Sequence, residues 1–373
     1  MFLKNTIAQA KRLVIKIGSA LLVNQITGAI NYPWLEALIA DVVTCVQRGQ
    51  QIAIVSSGSI AIGRHQLKLS NTSLTLEEKQ AAAAVGQIQL AQVYQEILAQ
   101  HQLKVAQILL TLDDSENRRR YLNAKNTLEK LLSLNVIPII NENDTVATAE
   151  IRYGDNDRLA ARVAQMVGAD TLVLLSDIDG FYNADPKLHP AAQLIPVVQQ
   201  LTPDIIKLAG DSITEVGSGG MITKLLAAKI SMACGCKMVI SNGKAFHPLQ
   251  NIDLQDKKTW FIPDSNPLSA RKNWLKNHLK PKGRIKIDHG AVLALRQGKS
   301  LLAAGIVLVE GEFHKGDAVE VISPQAEALA RGLINYNSYE ATRLIGHNSE
   351  SIEKVLGYKG SQEIIHRNDL VLL

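Results

Sequence analysis

The stretch RLVIKIG, residues 12–18, is the first of several short runs that are apolar almost throughout instead of alternating with polar residues. Strands of this kind are typical of a parallel sheet that is covered on both faces. Five more runs follow, at 51–57, 104–110, 136–140, 171–176 and 237–241. Helix-period stretches alternate with the runs, at 34–48, 77–100, 122–134, 158–167 and 221–234. This alternation predicts an α/β domain with a doubly wound, mostly parallel sheet and right-handed crossovers.

The length of 373 residues predicts two domains, each with a core of its own. Prolines and a basic block interrupt the first pattern around residues 262–282. Short strand candidates separated by turn signals follow, at 284–288, 291–295, 305–309, 318–322 and 328–336. Such closely spaced strands without long helices predict a small β-barrel-like domain. We therefore expect a catalytic domain over 1–262, a basic linker over 263–283 and a smaller domain over 284–373.

Cysteine usage and the N-terminal segment predict a cytoplasmic protein. Cys45, Cys234 and Cys236 form no disulfide framework, which favours a reducing compartment. The C-x-C pair at 234–236 could hold a metal, but no further Cys or His stands at a ligand spacing, so buried structural thiols are favoured. Residues 1–10 carry no secretion signal, and no window is apolar enough for a membrane span. We expect no membrane partner.

The block RKNWLKNHLKPKGRIK, residues 271–286, carries seven Lys and Arg residues and no acid. Such a block can be the footprint of a nucleic acid. A solvated linker or helix face has the same composition, and we favour this second interpretation.

Polar residues cluster where the predicted strands end, at 16–19, 56–59, 141–145 and 176–180. Ligands of open parallel sheets bind beyond the carboxyl ends of the strands, so these residues mark a candidate site. Lys16 interrupts an apolar strand. An edge strand or a snorkelling side chain would explain it. We favour a charge directed at an anion, with Gly18 allowing close approach of backbone N–H groups.

The stretch EVGSGGMITKLLAAK, residues 215–229, places three glycines before a helix. It matches neither G-x-x-x-x-G-K-[ST] nor G-x-G-x-x-G. A glycine turn that leads into a helix N-terminus nevertheless favours phosphate. Lys224 lies in the first turn of that helix, so Lys16 and Lys224 could bracket a phosphoryl group in transfer. No nucleophile comes with a recognisable base, which favours direct in-line transfer.

Gly154-Asp155-Asn156-Asp157 directly precedes the predicted helix 158–167. One of these residues would suffice to cap the helix, so three polar residues in a row exceed what capping needs. Asn143-Asp144 follows a strand end in the same way. Together they supply carboxylates and amides that could bind an ammonium group or position the two lysines.

The chain resembles the glutamate 5-kinases, which are amino acid kinase family members with a C-terminal PUA domain in their bacterial form. The resemblance covers nearly the whole chain, and INENDTVA together with GDND is its most specific part. The matching stretches are VIKIGS, IVSSGSIAIG, AAVGQ, LLTLDD, INENDTVATAEIRYGDND, LLSDIDGFYNADP, GSGGMITKLLAA, RGLINYNSYEATRLIGHNS and LGY…HRNDLVLL.

The resemblance implies ATP-dependent phosphorylation of the γ-carboxylate of L-glutamate, the first step of proline synthesis. It implies that Lys16 and Lys224 stabilise the transferring group and that Asp157 holds both lysines. The implied glutamate-binding residues are Ser57, Asp144 and Asn156. The implied ATP-binding residues are Lys16, Ser176, Asp177, Ser218, Gly219, Gly220, Met221, Ile222, Thr223 and Lys224. Mg²⁺ would be bound through the ATP phosphates, without a ligand from the protein.

The resemblance also implies partners: proline as a feedback inhibitor, a homodimer or homotetramer, and a separate glutamyl phosphate reductase, since no second large α/β domain is present.

Two alternatives stay open. One is a sibling enzyme acting on acetylglutamate, aspartate or carbamate, although Asp144 suits a free α-ammonium group. The other is RNA binding by the PUA domain. Single-strand RNA recognition usually relies on aromatic residues that stack on bases, and few follow residue 284, so we expect RNA binding at most as an accessory role.

Overall fold

The computed structural model describes residues 6–24, 26–69, 74–146, 155–209, 220–270, 272 and 280–373. The chain divides into two compact units, residues 1–267 and 268–373. The predicted boundaries, with a linker over 263–283, stay predictions.

The first unit is built on an eight-stranded sheet, so far as its residues are described. Its strands are β1 (Arg12–Ile17), β2 (Gln51–Ser56), β3 (Lys104–Leu110), β4 (Val136–Glu142), β5 (Thr171–Ser176), β6 (Val197–Val198), β7 (Lys237–Asn242) and β8 (Lys258–Phe261). The order is β3-β4-β2-β1-β5-β7-β8-β6. Neighbours from β3 to β7 are parallel, whereas β8 is antiparallel to β7. The predicted mostly parallel sheet is confirmed; the short strands β6 and β8 were not predicted.

Helices connect the parallel strands. They are α1 (Ser19–Leu22), α2 (Tyr32–Gln47), α3 (Ser59–Gln66), α4 (Leu76–Gln100), α5 (Leu112–Glu116), α6 (Arg118–Ser133), α7 (Asp155–Val167), α8 (Pro203–Lys207), α9 (Met221–Ala233) and α10 (Pro248–Leu254). The five helices expected from periodicity correspond to α2, α4, α6, α7 and α9.

Successive side chains of β1 point into two separate cores, as the period of two in a strand requires. Leu13, Ile15 and Ile17 pack with α2 and α4 on one face. Val14 packs with α7 and α9 on the other. Lys16 has the same parity as Val14, so it points to the face that α7 and α9 cover. A charged side chain is thereby placed in the centre of the sheet, between β2 and β5.

The second unit contains a five-stranded sheet among its described residues, in the order β10-β9-β11-β12-β13. Its strands are β9 (Gly283–Ile287), β10 (Ile306–Gly311), β11 (Ala318–Ile322), β12 (Ala328–Leu333) and β13 (Leu370–Leu372). Its helices are His289–Arg296, Ser338–Arg343 and Ile352–Leu356. Half of the basic block 271–286, namely 271 and 273–279, lies outside the described residues.

The strand predicted at 291–295 is wrong, because these residues lie in the helix His289–Arg296. Asp288 caps this helix: its Oδ1 accepts a hydrogen bond from the N–H of Ala291 at 2.7 Å. The sequence AVLALR also consists mainly of good helix formers. A short apolar run is compatible with a strand or a helix, and here the N-cap favours the helix.

The three cysteines are free thiols, as expected. Burial raises the pKa of Cys45 and that of Cys234 to about 11, which keeps both thiols protonated at neutral pH. Across the described part of the chain, no group of three His, Cys, Asp or Glu side chains could hold a metal ion. Among the same residues, no helix has the length and apolar character needed to cross a bilayer.

Helices α3 and α4 approach each other so closely that two glycines are required at their contact. A Cβ atom on Gly86 would lie 1.9 Å from the carbonyl oxygen of Ser59. One on Gly63 would lie 1.8 Å from the carbonyl oxygen of Ala82. Both neighbours are backbone atoms, which cannot rotate away. The contact therefore fixes the position of α3, which begins just beyond the end of β2.

We predict that Gly86→Ala lowers the free energy of unfolding by about 1–3 kcal/mol, because overpacking must push α3 and α4 apart. Urea denaturation measures the change. Gly290→Ala is a matched control, since its Cβ would lie 3.4 Å from Asp288 Oδ1, at ordinary contact distance. Equal stability of Gly86→Ala and the wild type would contradict the close approach.

Candidate active site

Two lysines share one carboxylate at the carboxyl edge of the sheet. Nζ of Lys16 lies 2.7 Å from Oδ1 of Asp157, and Nζ of Lys224 lies 3.2 Å from Oδ2. The three side chains are 10%, 1% and 8% exposed for Lys16, Asp157 and Lys224. We call these residues the lysine clamp. The first and last of them, Lys16 and Lys224, are more than 200 positions apart in sequence, and all three meet because of the topology of the sheet.

Each residue of the clamp comes from the end of an element. Lys16 is the penultimate residue of β1, whereas Asp157 and Lys224 lie in the first turns of α7 and α9. Both helices pack on the face of the sheet toward which Lys16 points. The hydroxyl of Thr223 lies 3.0 Å from Oδ2 of Asp157 and 2.9 Å from the carbonyl oxygen of Gly220. The carboxylate on α7 is thus held by side chains from β1 and α9.

Asp157 is ionised in this environment. Its burial alone would raise the pKa of the carboxyl group, but the charges of Lys16 and Lys224, with their hydrogen bonds, lower it below the ordinary value. Two ammonium groups against one carboxylate leave an excess positive charge in a buried place. Such a site attracts an anion, and a transferring phosphoryl group has the appropriate charge.

A network of side-chain amides lies beside the clamp. Nδ2 of Asn156 donates to Oγ of Ser57 at 2.7 Å and to Oδ1 of Asn141 at 3.1 Å. Nδ2 of Asn141 in turn donates to Oε1 of Gln87 at 2.8 Å and to Oγ of Ser59 at 3.2 Å. We call these five residues the amide network.

Asp144 adjoins the amide network through Ser59, whose Oγ lies 3.5 Å from Oδ2 of Asp144. The structure therefore brings together Ser57, Asp144 and Asn156, the three residues that the resemblance implied for glutamate. Asp144 is buried.

Apart from Lys16, the residues implied for ATP that the structure describes lie on the other side of β1. Ser176 ends β5, the parallel neighbour of β1, and its Oγ donates to Oδ1 of the exposed Asp177 at 3.3 Å. Gly220 is the N-cap of α9, and Met221 and Ile222 open the helix. Within the described residues no side chain caps this end, so first-turn N–H groups can serve an anion. Ser218 and Gly219 lie outside the described residues.

Sequence reasoning missed Gln87, and it marked Ser59 and Asn141 only as members of the polar strand ends 56–59 and 141–145. Asn141 stands in a strand end that is rich in polar residues, so its type and place could have indicated it. Gln87 lies on α4, far from any strand end, and nothing in its local sequence distinguishes it from the other glutamines of that helix. Thr223 was assigned to ATP, yet its hydroxyl contacts the clamp carboxylate.

The profile of the Amino acid kinase family matches residues 11–242, well over half of the chain. The chain belongs to the amino acid kinase family. The PUA domain profile matches residues 283–356 of the same amino acid kinase. The resemblance seen in the sequence is thereby confirmed.

Two curated relatives, both called glutamate 5-kinase, are similar along almost their whole length. The protein of Paramagnetospirillum magneticum is 56% identical, with 98% of this chain and 99% of the relative covered. That of Rhodospirillum rubrum is 55% identical, with 96% of both chains covered. A solved structure, carbamate kinase from Giardia lamblia bound to AMP-PNP, covers 69% of this amino acid kinase and 100% of its own chain, with TM-score 0.50 and 15% identity. That likeness shows the fold alone.

We predict that Asp157→Asn lowers the free energy of unfolding at neutral pH by about 3–5 kcal/mol, because two buried ammonium groups lose their partner. The folded pKa of Asp157 lies below its ordinary value of 3.8, so the unfolded chain takes up the proton first as the pH falls. The stabilisation by Asp157 is therefore complete above that value and is lost as the pH falls through the folded pKa.

Urea denaturation of both proteins from about pH 7 down to about pH 3 measures this difference in stability. The exposed Asp256, changed to Asn, is the control. The idea of a shared counter-charge fails if Asp157→Asn is as stable as the wild type at pH 7.

Proposed function

We propose that this amino acid kinase transfers the γ-phosphoryl group of ATP to the γ-carboxylate of L-glutamate. The product is L-glutamyl 5-phosphate, and the reaction is the first step of proline biosynthesis. The observation that carries the proposal is the lysine clamp, with Lys16 and Lys224 at 2.7 and 3.2 Å from the two oxygens of Asp157. The name shared by the full-length relatives supports glutamate as the acceptor.

The reaction needs charge neutralisation and alignment more than acid–base chemistry. A γ-carboxylate oxygen attacks the γ-phosphorus, and a new P–O bond forms while the bond to the β,γ-bridging oxygen breaks and its electron pair leaves with ADP. The carboxylate is already ionised at neutral pH, so no general base is required. Lys16 and Lys224 offset the negative charge of the group in transfer, and Asp157 keeps both ammonium groups at fixed positions.

ATP fits the edge between β5 and α9. The first-turn N–H groups of α9 would hold phosphate oxygens, with Ser176, Asp177 and residues 220–224 around the nucleotide. Mg²⁺ would bind through the phosphates of ATP, without a ligand from the protein. When bound, the ion neutralises phosphate charge and orients the phosphates.

L-Glutamate fits the opposite side of the clamp, against Ser57, Asn156 and Asp144. Oδ1 of Asn156 is buried and accepts no hydrogen bond from the described residues. An acceptor of this kind beside a carboxylate suits a free α-ammonium group. An N-acetylated amino acid could not supply that charge, which favours glutamate over acetylglutamate.

The partners follow from family membership and shared chemistry. Proline carries the same α-carboxylate and a cationic nitrogen, so we propose that it inhibits at the glutamate site. The acyl phosphate is reactive, so a separate glutamyl phosphate reductase would consume it. We also propose a homodimer or homotetramer and a cytoplasmic location.

Two basic residues of the second unit already have acidic partners. Lys282 pairs with Asp317 at 3.1 Å and Arg284 with Glu320 at 3.4 Å, so their charges are offset within the protein, which does not favour RNA binding.

We predict that wild-type protein, L-glutamate, ATP and Mg²⁺ with hydroxylamine yield glutamyl hydroxamate and that Lys16→Ala lowers kcat by about 10²- to 10³-fold. The exposed Lys11, changed to Ala, should keep normal activity and serves as the matched control. Full activity of Lys16→Ala would refute its role in the clamp. Equal or better turnover of N-acetylglutamate by the wild type would refute the acceptor.

A further inference from the structure

The amide network ends in two buried polar atoms that have no partner among the described residues. One is a donor, Nε2 of Gln87, and the other is an acceptor, Oδ1 of Asn156. Buried polar groups in native proteins are nearly always paired, so an unpaired one calls for a missing partner. Here the two unpaired atoms belong to one hydrogen-bonded series, Asn156–Asn141–Gln87.

The direction of this series is fixed by the backbone. The N–H of Glu142 donates to Oδ1 of Asn141 at 2.9 Å, and a backbone N–H can only donate. Nδ2 of Asn141 must therefore face Oε1 of Gln87, which turns Nε2 of Gln87 away as a free donor. By the same reasoning Asn156 must present Nδ2 to Asn141, which leaves its Oδ1 as a free acceptor.

Gln87 is also held firmly in place. It follows Gly86, on which a Cβ atom would lie only 1.9 Å from the carbonyl oxygen of Ser59. Ser59 in turn accepts a hydrogen bond from Asn141. The side chain of Gln87 is buried, so its amide cannot turn to water for a partner. A rigid, desolvated donor of this kind discriminates strongly between ligands that can and cannot accept its hydrogen bond.

We propose that Gln87 is a recognition residue for the α-carboxylate of the amino acid substrate. The inference rests on the proposed function and extends it. An L-α-amino acid carries a donor, the α-ammonium group, and an acceptor, the α-carboxylate, on the same carbon. The ammonium group pairs with Oδ1 of Asn156 near Asp144, and the carboxylate pairs with Nε2 of Gln87. The γ-carboxylate is then left to face the lysine clamp.

Gln87→Glu tests this assignment with the smallest change. The variant keeps an oxygen for Nδ2 of Asn141 and replaces only the unpaired donor by a second oxygen. The two substrates are L-glutamate and L-isoglutamine, in which the α-carboxylate is an amide and the γ-carboxylate is intact. Steady-state hydroxamate formation gives kcat and KM for each. Gln95→Glu, which adds the same charge at an exposed position of α4, is the matched control.

We expect Gln87→Glu to raise KM for L-glutamate on the order of 10- to 100-fold, with kcat within about threefold, because a hydrogen bond to a charged group is replaced by repulsion. The preference of kcat/KM for L-glutamate over L-isoglutamine should fall by at least about tenfold. Gln95→Glu should keep the wild-type preference. A structural role alone would impair both substrates equally.

Three outcomes overturn the assignment: equal losses on both substrates, a loss confined to kcat, or a wild-type enzyme that does not prefer L-glutamate over L-isoglutamine. The last outcome is measured on the wild type alone, so the assignment can still be tested if Gln87→Glu fails to fold. Absence of wild-type turnover on L-glutamate would instead refute the proposed function, and the two failures are therefore distinguishable.

Discussion

One buried carboxylate facing two ammonium groups is the interaction on which the first unit depends. Asp157 is almost fully inaccessible, and both lysines that contact it are nearly so. Neither cation could be buried there without the carboxylate, because an unpaired buried charge is strongly unfavourable. The ends of β1, α7 and α9 are consequently tied together at one point. The same point has one positive charge in excess, which is what a phosphoryl group in transfer requires.

The arrangement follows from the pleat of a single strand. Lys16 shares the parity of Val14, so it reaches the face covered by α7 and α9. A shift of one residue in the register of β1 would send the lysine into the opposite apolar core. The neighbouring strands then place the amide network on one side of the lysine, and Ser176 and the start of α9 on the other. In the proposed reaction, the acceptor and donor substrates would meet across β1.

The sequence predicted the sheet and the clamp residues because their signals are local. The parallel strands are continuous apolar runs, and Lys16 is visible as a lysine inside one of them. The pairing of Asp157 with both lysines rested on resemblance, since contacts across more than 60 and more than 140 positions leave no local pattern. Gln87 was invisible for the same reason. The helix His289–Arg296 was predicted as a strand because its apolar run is short and because an Asp before such a run is as typical of a turn as of a helix cap.

The central claim is that Asp157 acts only by holding the two lysines. The most direct test is the loss of kcat/KM caused by Asp157→Asn, measured in the wild type and in a Lys16→Ala background. Residues that work as a unit are strongly non-additive, so the account predicts a clearly smaller loss in the Lys16→Ala background. Equal losses in both backgrounds would show that Asp157 acts independently of Lys16, and would contradict the account.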